Sequence, residues 1–387
     1  MQFLLSAGEA SGDTYGAQLI DALRQLSRGS TFFGMGGEKM HASGAELLVH
    51  ANEVAVVGLV EVVTHLPGIR RRFKHLVAEA ARRKPDAAIL IDFPDFNLRL
   101  ARELHRLGIP VFYFVSPQIW AWRTGRVKQI KKYVRKMIVI FPFEPEFYRR
   151  HGVEVSYVGH PLAYAPPQIS REEFAAKHHL DPRKQWIALL PGSRRKELAL
   201  NVERMLWAAE MLQEQIGDFQ FVMPVASTLD KEWVSIQLHN LWTSPLQVTL
   251  TDNARATLMH ARAAVVASGT ATVEAALSGT PFVVVYRLAP LTWVLGRRLV
   301  KLDTFAMPNL IAGKKIVPEL IQKDFTAQNV FRELSAIIPD GPARQRMQDA
   351  LKMVQQRLHD SQDSERPAQR AAREILNGAK SPPNSPT

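Results

Sequence analysis

In "LIDFPDFNLRLA", residues 90–101, Asp92 follows directly on an apolar run. A carboxylate at the end of a buried strand is costly unless it is solvated, paired or used, so Asp92 is a candidate general base. Asp95 and Asn97 have the right types for polar substrate contacts and equally for capping the next helix, and for Asp95 capping is the preferred reading. The Asp92/Asp95 spacing is not the D-x-D of metal-dependent sugar transferases, so no bound metal is implied.

"ALLPGSRRKEL", residues 188–198, reads as a buried strand broken at Pro191 and Gly192, then Ser193, three cations and a helical pattern. Free amides at a helix N-terminus attract anions, and Arg194, Arg195 and Lys196 add formal charge suited to a diphosphate, with Glu197 as a first-turn acid. A solvated basic turn is the plain alternative. The pattern returns in "ASGTATVEAAL", residues 267–277, where a strand runs into Ser268, Gly269 and Thr270 before a helix carrying Thr272 and Glu274. Glu274 could accept both hydroxyls of a ribose, or serve as a helix-capping acid. Ribose and diphosphate together would mean a nucleotide.

Other stretches exclude chemistry. "SAGEASGDTYGAQL" (6–19) and "GMGGEKM" (34–40) are glycine-rich but match neither the Walker pattern nor the spaced dinucleotide fingerprint. There is no G-x-S-x-G and no H-E-x-x-H, and His178-His179 reads as part of an exposed helix rather than a metal site. "RTGRVKQIKKYVRK" (123–136) carries seven basic residues and no acid, after the aromatic "IWAW" (119–122), a combination that suits phosphates. From Val54 to Leu76 an apolar segment runs into Arg70, Arg71, Arg72 and Lys74. That segment could lie in the headgroup region of an anionic bilayer, or be a buried helix followed by a solvated one. No RNA-recognition or helix-turn-helix signature is present, so nucleic acid is not an expected partner.

The elements that must position these residues alternate regularly. Apolar runs at 3–7, 87–92, 111–116 and 137–141, separated by helical segments, predict βαβ units and a parallel sheet, and the rhythm restarts at 186–193, 219–224, 263–269 and 281–287. Two α/β domains are expected, 1–165 and 166–340, joined near Pro166-Pro167, then helices over 341–377 and a disordered tail, 378–387. With 387 residues, 46% of them hydrophobic, the chain can bury a large core. Its 49 Lys and Arg against 37 Asp and Glu give +12, favouring an anionic partner. Without cysteine there is no disulfide or thiolate chemistry. The N-terminal "MQFLLSAGEASGD" reads as a first strand rather than a signal peptide, and no window has the ~18 uninterrupted apolar residues of a membrane span.

Taken in order, "GEASGD", "GLVEV", "IDFPDFN", "VSPQIWAWR", "FPFE", "VGHPL", "LLPGSR", "SGTATVE" and "PNLI" resemble the lipid-A-disaccharide synthases over roughly residues 1 to 340. The resemblance implies a GT-B glycosyltransferase: two Rossmann-like doubly wound α/β domains facing across a cleft, with C-terminal helices. It implies condensation of UDP-2,3-diacylglucosamine with 2,3-diacylglucosamine 1-phosphate, giving a β-1,6 disaccharide 1-phosphate and UDP without cofactor or metal. Asp92 becomes the base and Arg194 the diphosphate ligand. Gly8, Ser11, Gly12, Asp13, Asp95, Asn97, Trp120, Arg123, Gly192, Ser193, Ser268, Gly269, Thr270, Thr272, Glu274 and Asn309 become substrate contacts. A cytoplasmic protein held peripherally on the inner membrane, with an anionic membrane surface as partner and a homodimer as a plausible assembly, follows from the same likeness. Another UDP-N-acetylglucosamine transferase or epimerase, or a non-catalytic basic lipid-binding protein, are the rival readings.

Overall fold

The computed structural model describes residues 1–54, 59–122, 124–164, 169–242, 244–287, 304–359 and 365–380, with the side chains of 59–65 and 122 left aside. The chain divides into two compact units, Met1–Tyr164 with Asp360–Thr387, and Ala165–His359.

Unit 1 runs β1 (Gln2–Ala7), α1 (Ala10–Leu26), β2 (Thr31–Gly36), α2 (Glu38–Ala42), β3 (Ala45–His50), α3 (Leu59–Arg83), β4 (Ala87–Ile91), α4 (Pro94–Arg106), β5 (Val111–Phe114), α5 (Ile119–Trp122), α6 (Val127–Tyr133), β6 (Lys136–Val139), α7 (Glu144–Arg150) and β7 (Val155–Tyr157). Its seven strands lie in the order β3-β2-β1-β4-β5-β6-β7, all parallel. The central strands are apolar on both faces because helices cover both, which is why "AAILI" and "VFYF" are wholly buried.

Unit 2 runs α8 (Arg171–His178), β8 (Gln185–Leu190), α9 (Arg195–Gln215), β9 (Phe219–Pro224), α10 (Lys231–Leu241), β10 (Val248–Thr251), α11 (Ala254–His260), β11 (Ala263–Ala267), α12 (Thr270–Ser278), β12 (Phe282–Tyr286), α13 (Met307–Ala312), β13 (Glu319–Ile321), α14 (Ala327–Ile337) and α15 (Pro342–Leu358). Its sheet, β10-β9-β8-β11-β12-β13, is also parallel throughout. Each sheet therefore winds in one direction and then reverses, between β1 and β4 in unit 1 and between β8 and β11 in unit 2. Open parallel sheets bind ligands outside the strands' carboxyl ends at such a reversal.

Three expectations need correction. The helices over 341–377 do not form a body of their own: α15 packs against α12 and α13 of unit 2, whereas a last helix, α16 (Pro367–Lys380), packs against α1. Its Ala371, Ala372, Ile375 and Leu376 join Phe3, Leu19 and Phe112 in the unit 1 core, so residues 378–380 are helical rather than tail. His178 is buried at the end of α8 against the Phe174 ring, centroids 4.5 Å apart, because it closes the helix over the unit 2 core. The expected linker at Pro166-Pro167 and the tail beyond Lys380 lie outside the described residues.

Candidate functional site

In unit 1, Ala7 and Ile91 are paired in register, so Gly8 and Asp92 leave the sheet side by side at the reversal. Asp92 and Phe93 both take left-handed backbone, with φ of 45° and 50°. Residues with a Cβ hold that conformation only where their surroundings enforce it, at about 1–3 kcal/mol each. Here the Asp92 carbonyl accepts from Asn97 Nδ2 at 2.8 Å and from Tyr113 Oη at 2.5 Å, and the Asp92 amide donates to the Phe114 carbonyl at 3.2 Å. The turn lets Pro94 open α4 in its favoured first position. A Cβ on Gly8 would overlap the Phe93 ring, so only glycine fits beside this turn.

The Asp92 carboxyl is half-buried, and burial, with a smaller contribution from the Glu9 charge, pushes its pKa up to about 7; the Phe93 amide opposes this. A carboxyl so tuned exchanges protons at neutral pH. Glu9, the N-cap of α1, is a neighbour that sequence reasoning passed over.

Several expected ligands are committed elsewhere. Asn97 is fully buried: its Nδ2 also donates to the Ser6 and Ile91 carbonyls at 3.2 and 3.1 Å, and its Oδ1 accepts from Ser6 Oγ at 2.6 Å. The N-cap of α4 is Phe93, so neither Asp95 nor Asn97 caps that helix; Asp95 pairs with Arg126. Asp13 is buried and accepts from the amides of Gly37 (2.7 Å), Lys39 (3.1 Å) and Met40 (3.1 Å), fastening the start of α2. Gly12 lets α1 approach the strand ends, where an added Cβ would stand 3.3 Å from that of Ala7. Ser11 is half-buried on the first turn of α1. Part of the basic 123–136 stretch is likewise engaged: Lys136 bridges Glu154 and Glu374 of α16. Trp120, half-buried, donates its indole N–H to Glu144 at 3.3 Å. Arg123 and much of the apolar 54–68 segment lie outside the described residues.

In unit 2 the reversal is built by the two predicted turns, with Leu190 and Val266 in register. Gly192 has φ of +125°, and a Cβ there would meet Glu197 Oε2 at 2.5 Å. Glu197 folds back from the first turn of α9, accepting the Ser193 amide at 2.9 Å and Arg194 Nη1 at 3.2 Å. That amide, expected to be free, is thus held by a carboxylate in the place an anion would take. Thr228 Oγ1 and Asn201 Nδ2 pin the Ser193 and Pro191 carbonyls at 2.6 and 2.8 Å. The three cations differ: Arg194 is the N-cap of α9 beside Glu197, Arg195 lies 4.7 Å over the Trp233 ring, and Lys196 is exposed.

One strand further on, Gly269, with φ of +151°, caps α12 and leaves Ser268, Gly269 and Thr270 partly or fully exposed at the edge. Thr272 is buried and donates to the Gly269 carbonyl at 2.7 Å, shaping the turn from within. Glu274 is half-buried in the second turn, so it is no helix-capping acid; burial raises its pKa and Arg255 opposes the rise. Asn309 is fully buried, its side chain bonded to Ile316 N, Val317 N, the Val317 carbonyl and Glu319, and so holds the entry to β13. A cavity of about 270 Å³ lined by Leu206, Trp242 and Leu250 shares no residue with these turns.

Residues 3–375 match the family model described as Lipid-A-disaccharide synthetase. A Lipid-A-disaccharide synthase of Koribacter versatilis (strain Ellin345) is 54% identical over 381 residues, covering 98% of this chain and 99% of the relative. One of Acidobacterium capsulatum is 52% identical over 366 residues, covering 92% and 91%. Among solved structures, a UDP-GlcNAc 2-epimerase from Neisseria meningitidis bound to UDP-GlcNAc superposes with a TM-score of 0.62 at 14% identity, covering 97% and 99%. The calicheamicin glycosyltransferase CalG4 gives 0.58 at 16% identity, covering 97% and 98%. At those identities the two structures speak to the fold.

Proposed function

The chain belongs to the Lipid-A-disaccharide synthetase family, and from that premise we propose how its two units divide the reaction. It is a glycosyltransferase of the GT-B fold that forms the lipid A disaccharide from a UDP-sugar and a substrate of the lipid X type. In our reading the donor is UDP-2,3-diacylglucosamine and the acceptor 2,3-diacylglucosamine 1-phosphate.

Unit 2 takes the nucleotide. Arg194 meets the diphosphate, the amides of the 192–194 and 269–272 turns share its charge, and Glu274 accepts the ribose hydroxyls. For the diphosphate to reach the Ser193 amide, Glu197 gives up its hydrogen bond there, and the Arg194 guanidinium exchanges its bond to Glu197 for the incoming anion. Unit 1 presents the base. Asp92 removes the proton from the acceptor's 6-hydroxyl as O6 bonds to the donor's C1 and the C1–O bond to UDP breaks. An α-linked donor giving a β-linked product requires one inverting displacement, so no covalent enzyme intermediate forms.

The observation that carries this reading is the Asp92 turn: a carboxyl at the sheet reversal, in enforced left-handed backbone, with its pKa at about 7. Apolar acyl chains with phosphates also account for the net charge of +12, and we place the protein peripherally on the cytoplasmic face of the inner membrane. Among the described residues no helix is long and apolar enough to cross a membrane. The test is UDP release from the two acylated substrates. Asp92→Ala and Arg194→Ala should each lose about 10²–10⁴-fold in turnover while still binding anionic vesicles; loss of vesicle binding together with turnover in both would defeat the assignment.

A further inference from the structure

Glu144 opens α7 and is 1% exposed. A carboxyl this deep has to be satisfied by its surroundings. Its Oε2 accepts the Phe141 amide at 3.0 Å and its Oε1 the Trp120 indole N–H at 3.3 Å. Ser116, which follows β5, shares a 2.6 Å bond with the Tyr148 hydroxyl of α7. The carboxyl therefore ties the segment after β5 to the segment after β6.

What it fixes is a group of rings at the carboxyl edge of the unit 1 sheet. Trp120 stands edge-on to Phe143, centroids 4.9 Å apart at 82°, and Phe143 stacks on Phe141 at 5.7 Å and 12°. Phe141 rests on His160, at 5.1 Å, which is buried and kept neutral, its pKa pushed down to about 3 by burial. All three of Trp120, Phe141 and Phe143 stay half-exposed. Adjacent strands are about 4.8 Å apart, so the ends of β5 and β6, from which these segments leave, lie about 5 and 10 Å along the edge from the end of β4, where Asp92 sits. That is the reach of one hexose. An acyl chain adapts to any apolar surface and needs no oriented plane, whereas the C–H face of a sugar needs a ring held at a set angle, and a buried hydrogen bond to the indole supplies that.

Resting on the function proposed above, we infer that Glu144 is a positioning residue: through the Trp120 indole it holds an aromatic shelf, Trp120 with Phe141 and Phe143, that takes the apolar face of the acceptor's pyranose ring while Asp92 meets its hydroxyl.

The experiment is steady-state UDP release with the full chain, varying donor and acceptor separately, for Trp120→Phe, Trp120→Ala, Glu144→Gln and Glu144→Ala. Trp120→Ala and Glu144→Ala should raise the acceptor KM about tenfold and leave the donor KM within about twofold. Glu144→Gln, whose single carbonyl oxygen can still accept the Trp120 indole N–H while its amino group faces the Phe141 amide, should fall between Glu144→Ala and wild type. Combining Glu144→Ala with Trp120→Phe should be no worse than the poorer single variant, because both cut the same link. An unchanged acceptor KM in Trp120→Ala, equal rises in both KM values, or a loss that grows with acyl-chain length would each overturn the inference. Should Glu144→Ala not fold, the Trp120 pair decides alone. Wild-type protein that releases no UDP defeats the functional reading instead, whereas active wild type with indifferent Trp120 variants defeats this inference only.

Discussion

Asn97→Ala tests whether the buried Asn97 amide, through its bonds to the Ile91 and Asp92 carbonyls, holds the base in position. The substitution removes an Nδ2 group whose two N–H bonds serve three carbonyls, at 2.8, 3.1 and 3.2 Å, and an Oδ1 that accepts at 2.6 Å. The Asp92 carbonyl keeps Tyr113, but the Ser6 hydroxyl is orphaned and a small void opens. Unmade buried hydrogen bonds and the void together amount to about 2–4 kcal/mol. Unit 1 spans 192 residues. At about 3 °C per kcal/mol for a unit of that size, melting should fall by about 6–12 °C. Turnover should fall further than folding does, by about 10²-fold, since a shift near 1 Å at the reacting group costs that much. Thermal melts by circular dichroism and UDP release at room temperature read the two effects, with Ser6→Ala as a control losing only about 1 kcal/mol and little activity. A variant whose melting matches wild type, or whose turnover merely tracks its folded fraction, refutes the argument.

Four further outcomes are expected. The Asp92 and Glu144 carboxyls are raised to about 7 and about 8 by burial, so the folded state holds more protons than the unfolded one between the ordinary acid range and those values. Their contribution is fully present at low pH and is lost as pH rises through 7 to 8: the urea midpoint should decline from pH ~5 to pH ~8, and less steeply in Asp92→Asn. Turnover should show the opposite trend, rising with pH through about 7 as Asp92 ionises; a flat profile there would remove Asp92 as the base. Gly192→Ala should weaken UDP binding and destabilise unit 2 by about 1–3 kcal/mol, as its methyl group displaces Glu197 and strains the backbone, whereas Arg195→Ala should lower turnover far less than Arg194→Ala, since its guanidinium lies over Trp233. Calorimetric titration of UDP checks the first and UDP release the second.

The strand-to-turn-to-helix pattern was legible because buried parallel strands are continuous apolar runs and the residues after them punctuate sharply. That placed Asp92, Gly192 and Gly269 at strand ends, where the two reversals lie. Less legible was which polar side chains are spent on the backbone. Asp13, Asn97 and Asn309 have the chemistry of ligands, but their partners include amides and carbonyls that only the folded chain brings near, in Asp13 from 24 to 27 residues away. Glu144 was visible only as part of "FPFE", because nothing local distinguishes a buried glutamate at a helix start from an exposed one. The destination of α16 was hidden for the same reason: its apolar face specifies that it docks, and the fold decides on what.

The return of α16 to α1 has a consequence for biosynthesis. Gly378 sits so close to the Phe112 ring that a Cβ there would stand 2.6 Å from it, and Lys136 clasps Glu374, so the opening half of the polypeptide is finished by its closing residues. On the ribosome the 165–359 body can complete itself while its predecessor still waits with Phe3, Leu19 and Phe112 uncovered. A stop codon ahead of Pro367 would thus spoil the part that was translated first.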